Sequence, residues 1–342
     1  MKNKRATIID VAQKAGVSIA SVSFAFNDPG QISSETAEKI FSVAEELGYA
    51  PNAIARAMVA RSIGVIGVLV PMSISASFQN PFIAEFMNGV GSICDEHSLS
   101  ALFVSPYEGS LLKATQRAPV DGFIVLGLNE KHSEIEPLRQ RQVRFVICDG
   151  EAQTVSQINI DDEQGAYEAT SHLLVRGQRD IMILTFEKPD PSHQNGDIFY
   201  GVGGRRFNGV QRAFQDQNVP FDFSMMVQAS TSIEGGRETF LSAWRSGFHP
   251  SAVFAFSDAM ALGVLIAAKE LGVHVPHDLE VIGFDDIPNA CLSSPTLSTV
   301  HQPIFEKGNL AARLLVNAIS DKEKPQKILL PTKLVLREST RT

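Results

Sequence analysis

The sequence predicts a small all-α head followed by an α/β body of two lobes with parallel sheets. Three observations carry this. Thr7 to Asn27 reads as two short helices around a glycine turn. From Ile63 onward, apolar runs alternate with amphipathic stretches, the texture of repeated strand–helix units whose strands are covered on both faces. There are too many such runs for one comfortable sheet, so the body divides into two lobes with a ligand cleft at the carboxyl ends of the strands.

In the head, Thr7 caps the first helix and Asp10 sits in its first turn, where a carboxylate suits the helix dipole. Ile8, Val11, Ala12 and Ala15 form one apolar stripe. Gly16 supplies the left-handed residue that ends the helix, and Val17 turns inward. Ser18 caps a second helix, 19–26, in which Val22 points to the core and Ile19, Ala20, Ser21 and Phe24 point outward. This is the pattern of a helix-turn-helix whose second helix fits the major groove of DNA, with an ordinary helical hairpin as the alternative. The small, weakly polar outward face suits close approach to base edges, and Lys2, Lys4 and Arg5 form a basic arm ahead of it. Ser33 or Ser34 caps a third helix with Ala37, Ile40, Phe41, Ala44 and Leu47 inward, ended by Gly48. The head thus spans 1–50. The segment 51–62, containing AIARAMVARS, has good helix formers and little apolar surface, the mark of a marginal linker helix.

In the body, 63–342, strands are expected at 64–70, 100–105, 120–126, 144–148, 180–184, 225–229, 252–256 and 279–284. Helices are expected near 82–97, 133–142, 162–176, 204–217, 234–246, 258–271 and 304–319. The polar, Pro/Gly-rich stretch 186–203 reads as a surface loop. Ile160-Asp161-Asp162 and Asp285-Asp286-Ile287-Pro288 read as crossings between lobes, with a third near Ser320. Lobe one then comprises about 63–160 and 289–320, and lobe two about 161–288 and 321–342. The architecture is that of periplasmic sugar-binding proteins.

Composition sets limits on function. With 44% hydrophobic and 20% charged residues the chain is an ordinary globular protein. The N-terminus lacks the apolar region of a secretory signal, no apolar run suits a membrane span, and the three cysteines, Cys94, Cys148 and Cys291, form no metal or disulfide spacing. A cytoplasmic protein is expected. Residues 1–62 carry seven Lys/Arg against six Asp/Glu, a net +1, which leaves −9 of the total −8 on the remainder. That is a weak electrostatic footprint for a nucleic-acid binder. Enzyme chemistry has no constellation behind it. Gly201-Val202-Gly203 has Arg206 where a dinucleotide fingerprint needs a third glycine, and no P-loop or nucleophile elbow occurs. The eight His are scattered, and His274 and His277 straddle Pro276, so no metal or cofactor is expected.

Residues 7–27 resemble the opening of the lactose-repressor (LacI/GalR) family of bacterial transcription factors, roughly T-I-x-D-V-A-x-x-A-G-V-S-x-x-T-V-S-R-x-L-N. Phe24 stands where that family usually carries Arg, and Ser21 where it usually carries Thr. The resemblance continues through RFNG, FSDAMALG and VIGFDDIP, similar to the family's R-x-x-G, N-D-x-M-A-L-G and V-x-G-F-D-D. It implies a dimer bound to operator DNA, with linker helices that order on DNA and push a Leu into the minor groove; Met58 stands at that position. The DNA-facing set is then Thr7, Ser18, Ile19, Ala20, Ser21, Phe24 and Asn27, with Asn52, Ala55 and Met58 in the linker. No heptad tail follows, so nothing suggests a tetramer.

Polar residues that close strands or open helices mark the cleft. Asp149 follows RFVIC, Ser257 and Asp258 follow AVFAF, and Asp285 follows VIGF. Arg206 opens a helix, and Asn80-Pro81-Phe82 follows the first strand. Carboxylates there accept hydrogen bonds from sugar hydroxyls, and Phe82 can pack on a ring face. Asp258 reads equally as a helix cap. The resemblance implies that Arg206, Ser257 and Asp285 face the effector, with Ser257 replacing a common Asn and Ser230 standing where many relatives place an aromatic. The effector set is Asn80, Phe82, Asp149, Arg206, Ser257 and Asp285. A repressor controlled by a sugar-like or nucleoside-like ligand is expected; the alternative is a periplasmic-type sugar-binding protein of a transporter.

Overall fold

The computed structural model describes residues 6–50, 62–187, 201–321 and 324–341. The chain divides into two compact units, Met1–Gly64 and Val65–Thr342. The linker residues Asn52, Ala55 and Met58, the basic arm, and most of the 186–203 stretch lie outside the described residues.

The head has three helices, α1 (Ile8–Ala15), α2 (Ile19–Asn27) and α3 (Ser34–Glu46). A reciprocal capping box opens α1: the Thr7 amide donates to Asp10 Oδ2 at 2.8 Å, and the Asp10 amide to Thr7 Oγ1 at 3.4 Å. Gly16, at φ 66°, ends the helix in the left-handed conformation the sequence required. Ser18 caps α2 and Ser33 caps α3. Val11, Ala15, Val22, Ala25, Ile40 and Ala44 form the head core. Phe41 departs from expectation and is 42% exposed. Its neighbour Ile40 takes the inward position, and adjacent residues of a helix are turned about 100° apart.

The body runs β1 (Val65–Leu69), α4 (Ile74–Ser77), α5 (Pro81–His97), β2 (Ser100–Val104), α6 (Leu111–Arg117), β3 (Gly122–Leu126), α7 (Glu136–Gln140), β4 (Arg144–Cys148), β5 (Gln157–Ile160), α8 (Asp162–Val175) and β6 (Ile181–Thr185). It continues through α9 (Gly201–Asp216), β7 (Met226–Gln228), α10 (Ile233–Arg245), β8 (Ala252–Ala255), α11 (Asp258–Leu271), β9 (Glu280–Asp285), β10 (Ser298–His301), α12 (Ile304–Ile319), β11 (Lys327–Leu330) and β12 (Lys333–Val335). One sheet has the order β11-β5-β4-β3-β1-β2 and is parallel throughout; the other has the order β12-β10-β9-β8-β6-β7 and is parallel except for β10 against β12. In the first sheet Ile66, Val68, Ile124 and Val146 pack on one side and Leu69, Phe123, Val125 and Phe145 on the other. Both faces are covered, which explains the continuously apolar strands.

The lobe boundaries correct the expected ones. The first crossing is as read, between β5 and α8. The second falls at 302–303, after β10, because β9 and β10 pair side by side in the second sheet. Asp285-Asp286 is therefore a bend inside lobe two, and residues 289–301 belong to that lobe rather than to lobe one. The third crossing lies at 331–332, not near Ser320: after α12 the chain first adds β11 to the edge of sheet one beside β5. These strands, with β5, escaped the sequence reading because QINI, STVH, KILL and KLV are short and half polar. Helix α12 packs on α5 with no clearance at Gly308, where a Cβ would stand 2.2 Å from the Phe86 carbonyl oxygen. That close approach seats the first turns of α12 under the cleft.

Candidate functional site

On α2 three of the four residues expected to point outward, Ile19, Ala20 and Phe24, are exposed in the structure. Ile19 is 49% and Phe24 42% exposed, and Ala20 and Asn27 are also exposed. Ser21 is half-buried, its hydroxyl 2.9 Å from that of Ser18. The Thr7 hydroxyl donates to Asp10 at 2.7 Å. The ring contacts to α3 and its exit are made by Phe26, edge-on to Phe41 at 5.2 Å and to Tyr49 at 5.8 Å, so Phe24 is left standing on the surface. Helix α2 carries no charged side chain. Its surface offers shape and apolar contact rather than long-range attraction.

In the body, a cleft of about 670 Å³ lies between the lobes, and all six expected effector residues line it. Lobe one contributes Asn80 and Phe82 at the start of α5 and Asp149 after β4. Lobe two contributes Arg206 on α9, Ser257 before α11 and Asp285 at the end of β9. Asn80 accepts the Phe82 amide at 3.1 Å as the cap of α5. Ser257, not Asp258, caps α11, accepting the Met260 amide at 3.3 Å. Asp258 corrects the capping expectation: fully buried, it takes the Ile287 amide at 2.9 Å and faces the Thr299 hydroxyl at 2.5 Å. Ser230 lies outside the cleft wall, where Thr231 stands instead.

The floor is a continuous network of buried charges. The Nε of Arg206 donates to Asp162 Oδ1 at 2.9 Å, its Nη1 donates to the Phe256 carbonyl, and its Nη2 is 3.9 Å from Asp285 Oδ1. Its guanidinium lies 3.5 Å over the Phe284 ring. Gln302 donates to Asp285 Oδ1 at 2.5 Å. Lys307 donates to Asp149 Oδ1 at 2.7 Å and to Gln302 Oε1 at 2.6 Å. Burial pushes the Asp285 carboxyl up to about 6, against the opposing pull of Arg206, Gln302 and Lys307. Burial and the nearby Asp285 charge push Asp258 up to about 8. Asp149, Asp285 and Asp286 have φ of 57°, 129° and 60°. Backbone strain of this kind costs about 1–3 kcal/mol per residue and gathers at ligand sites.

Asp162, Phe186, Gln302 and Lys307 were not among the expected site residues. For Lys307 a signal existed: with Ile304, Gly308, Ala311 and Leu315 it falls on the buried stripe of α12, an odd place for an unpaired ammonium. Asp162 reads in the sequence only as part of a crossing. Nothing in the spacing of Phe186 or Gln302 marks them. Among the described residues no three His, Cys, Asp or Glu side chains gather as metal ligands, and no single helix is long and apolar enough to cross a membrane.

Comparison with known proteins matches both units. Residues 7–52 match the bacterial regulatory proteins of the lacI family, and residues 170–340 match the periplasmic binding protein-like domain. The HTH-type transcriptional regulator DegA of Bacillus subtilis (strain 168) is 32% identical, covering 98% of this chain and 98% of its own. The HTH-type transcriptional repressor PurR of Yersinia pestis bv. Antiqua (strain Antiqua) is 31% identical over 98% and 96%. Among solved structures, a transcriptional regulator CelR–cellobiose complex is 27% identical with a TM-score of 0.70, covering 98% of this chain and 100% of that one. The lac repressor dimer bound to operator and the anti-inducer ONPF shares the fold at a TM-score of 0.79 and 23% identity, over 99% and 100%. With a helix-turn-helix head and a two-lobed ligand-binding body joined in one chain, the protein belongs to the lacI family and is a DNA-binding transcriptional regulator under ligand control.

Proposed function

We propose that the chain acts as a homodimer on a near-palindromic operator, repressing transcription, and that a small neutral polyhydroxylated ligand in the cleft controls its hold on DNA. The observation that carries the ligand class is the charge balance of the cleft. Asp149, Asp162 and Asp285 are matched by Arg205, Arg206 and Lys307, so little net charge remains to attract an ionic ligand. Asp149 and Asp285 each have one oxygen committed inward, and in this reading the second accepts from a ligand hydroxyl. Phe82 and Phe186 supply apolar faces for a sugar ring. The cellobiose bound by CelR supports the same class.

One short recognition helix reads too few bases, so two heads on half-sites about one helical turn apart are required. Ile74, Phe78 and Leu292, exposed by 54, 57 and 79%, are body surfaces that a second copy would cover. DNA contacts are assigned to Thr7, Ser18, Ile19, Ala20, Ser21, Phe24 and Asn27, with Asn52, Ala55 and Met58 on the connecting segment. The function involves no catalysis and no cofactor.

The test begins with a thermal-shift screen of neutral sugars and nucleosides on the full chain, followed by gel shifts on neighbouring promoter DNA. A ligand that binds the folded state raises its melting temperature, and the same ligand should change operator affinity. If only anionic ligands bind, the ligand class is wrong. If footprinting shows one asymmetric half-site bound by monomer, the dimeric operator is wrong.

A further inference from the structure

Lys307 is 1% exposed and does not itself line the cleft. It lies behind Asp149 and Gln302, with its ammonium 5.4 Å from the centre of the Phe82 ring. A buried ammonium is costly unless its hydrogens are taken up, and here Asp149 and Gln302 take two of them.

The chemistry of an ammonium fixes more than charge. It has three donors and no acceptor. Gln302 must therefore turn its amide oxygen toward Lys307, which leaves its Nε2 facing Asp285, and that NH2 group can only donate. Asp285 Oδ1 must accept. The sequence Lys307, Gln302, Asp285 thus has a single hydrogen-bond direction. It starts on α12, which packs against lobe one, passes through the second crossing, and ends at the strand end of β9 in lobe two.

We propose that Lys307 is a positioning residue for the effector cleft: it orients the Gln302 amide so that Asp149 and Asp285 both present acceptor oxygens, which selects a ligand giving hydroxyl or amine donors to both lobes at once. This rests on the assignment of the cleft as the effector site. The groups facing Asp285 are Arg206 from α9, Lys307 from α12, Asp149 after β4, Asp258 from α11 and the Gln302 amide. In Lys307→Met the side chain keeps its length and loses its donors. The Gln302 amide is then free to turn, and Asp285 loses a fixed donor.

The test is a ligand-free titration of the full chain, with the Asp285 carboxyl followed by carbon-13 NMR and assigned by its loss in Asp285→Asn. Two variants are compared with the parent, Lys307→Met and the double variant Lys307→Met/Asp149→Asn. The second removes the carboxylate stranded by the first, and with it the cost of an unpaired buried charge. It also removes one positive and one negative charge together, which offsets much but not all of their direct effect on Asp285. Gln302→Met in the parent gives the shift from loss of the amide alone, and the double variant must shift Asp285 by at least that much if the amide has turned. Asp285 should titrate at least about one pH unit higher in the double variant, a tenfold change in its ionisation constant. An unchanged Asp285 midpoint would mean that Lys307 only packs, and would overturn the proposal. Because no ligand enters the measurement, failure of the sugar screen would count against the effector assignment and leave this result standing.

Discussion

The outward face of α2 and the floor of the cleft are opposite solutions to recognition. The first is exposed, built of small and apolar side chains, and carries no charge. The second is buried and dense with charge, every ionic group held by a partner of opposite sign or by an amide. On α2, recognition costs the fold little, because few interactions are committed before DNA arrives. In the cleft, the groups that would meet a ligand also hold the lobes, so binding and stability cannot be separated. Substitutions should divide accordingly.

The widest separation is expected at Asp162, whose two oxygens accept from Arg206 Nε and Arg205 Nε, each at 2.9 Å. Asp162→Ala strands a buried guanidinium, and breaking a buried pair from one side costs about 3–5 kcal/mol. Urea unfolding of the full chain should show that loss, while Ala20→Ser on the DNA face stays within about 0.5 kcal/mol. Equal effects would erase the contrast between the two surfaces.

Next in size is the ligand contact itself. Hydrogen bonds to a charged group contribute about 1.5–3 kcal/mol. Asp285→Asn should therefore weaken the ligand found in the screen by about 10- to 100-fold in isothermal titration, with operator affinity of the ligand-free protein unchanged. Retention of full ligand affinity in both Asp285→Asn and Arg206→Ala would remove the cleft assignment.

The two surfaces were also unequally legible in the sequence. Capping residues, the Gly16 turn and the stripe of Val11, Ala12 and Ala15 are local signals, and they place α1 and α2 closely. Five of the six cleft residues close a strand or open a helix, which is a local signal; Arg206 lies inside α9 and is carried by the resemblance of RFNG to the family pattern. What the sequence could not display was which lobe each late strand joins. β11 pairs with β5 from far back in the chain, and such pairing leaves no periodicity to read; β10 pairs with the strand just before it, but STVH is short and half polar. Lys307 is legible only in part: its place on the buried stripe of α12 marks it as unusual, but its partner Asp149 is 158 residues away, so nothing local shows what it holds.

A smaller effect separates the surfaces by pH. The folded chain holds a proton on Asp258 up to about 8, whereas a free Asp loses it near 3.9. Between those values the folded state binds more protons than the unfolded state, so stability falls as pH rises from about 4 through 8. Asp285, raised to about 6, adds a loss of the same sign. Asp258→Asn stays neutral at every pH, accepts the Ile287 amide through its carbonyl oxygen and donates to Thr299. Its melting temperature should drop less between pH 5 and 8.5 than that of the parent. An identical drop would mean that Asp258 is ionised in the folded protein across this range.

The smallest expected effect is also the sharpest test of the DNA face. Phe24 is exposed and its neighbour Phe26 takes the ring contacts to α3, so the phenyl ring is available to DNA and not to the head core. A phenyl ring cannot donate to guanine O6 or N7; it can touch a thymine methyl. Selection of sites from random DNA should return an A·T pair at the position Phe24 meets. Phe24→Ala should relax that preference by about 1 kcal/mol, with the melting temperature of the head nearly unchanged. Phe24→Arg should turn the preference toward G·C, because Arg reads guanine with two hydrogen bonds, and should steepen the salt dependence of binding if it also reaches a phosphate. A guanine preference already present in the parent and unchanged in Phe24→Ala would show that another residue reads that position. The apolar reading of α2 would then fail at its centre, with the cleft untouched.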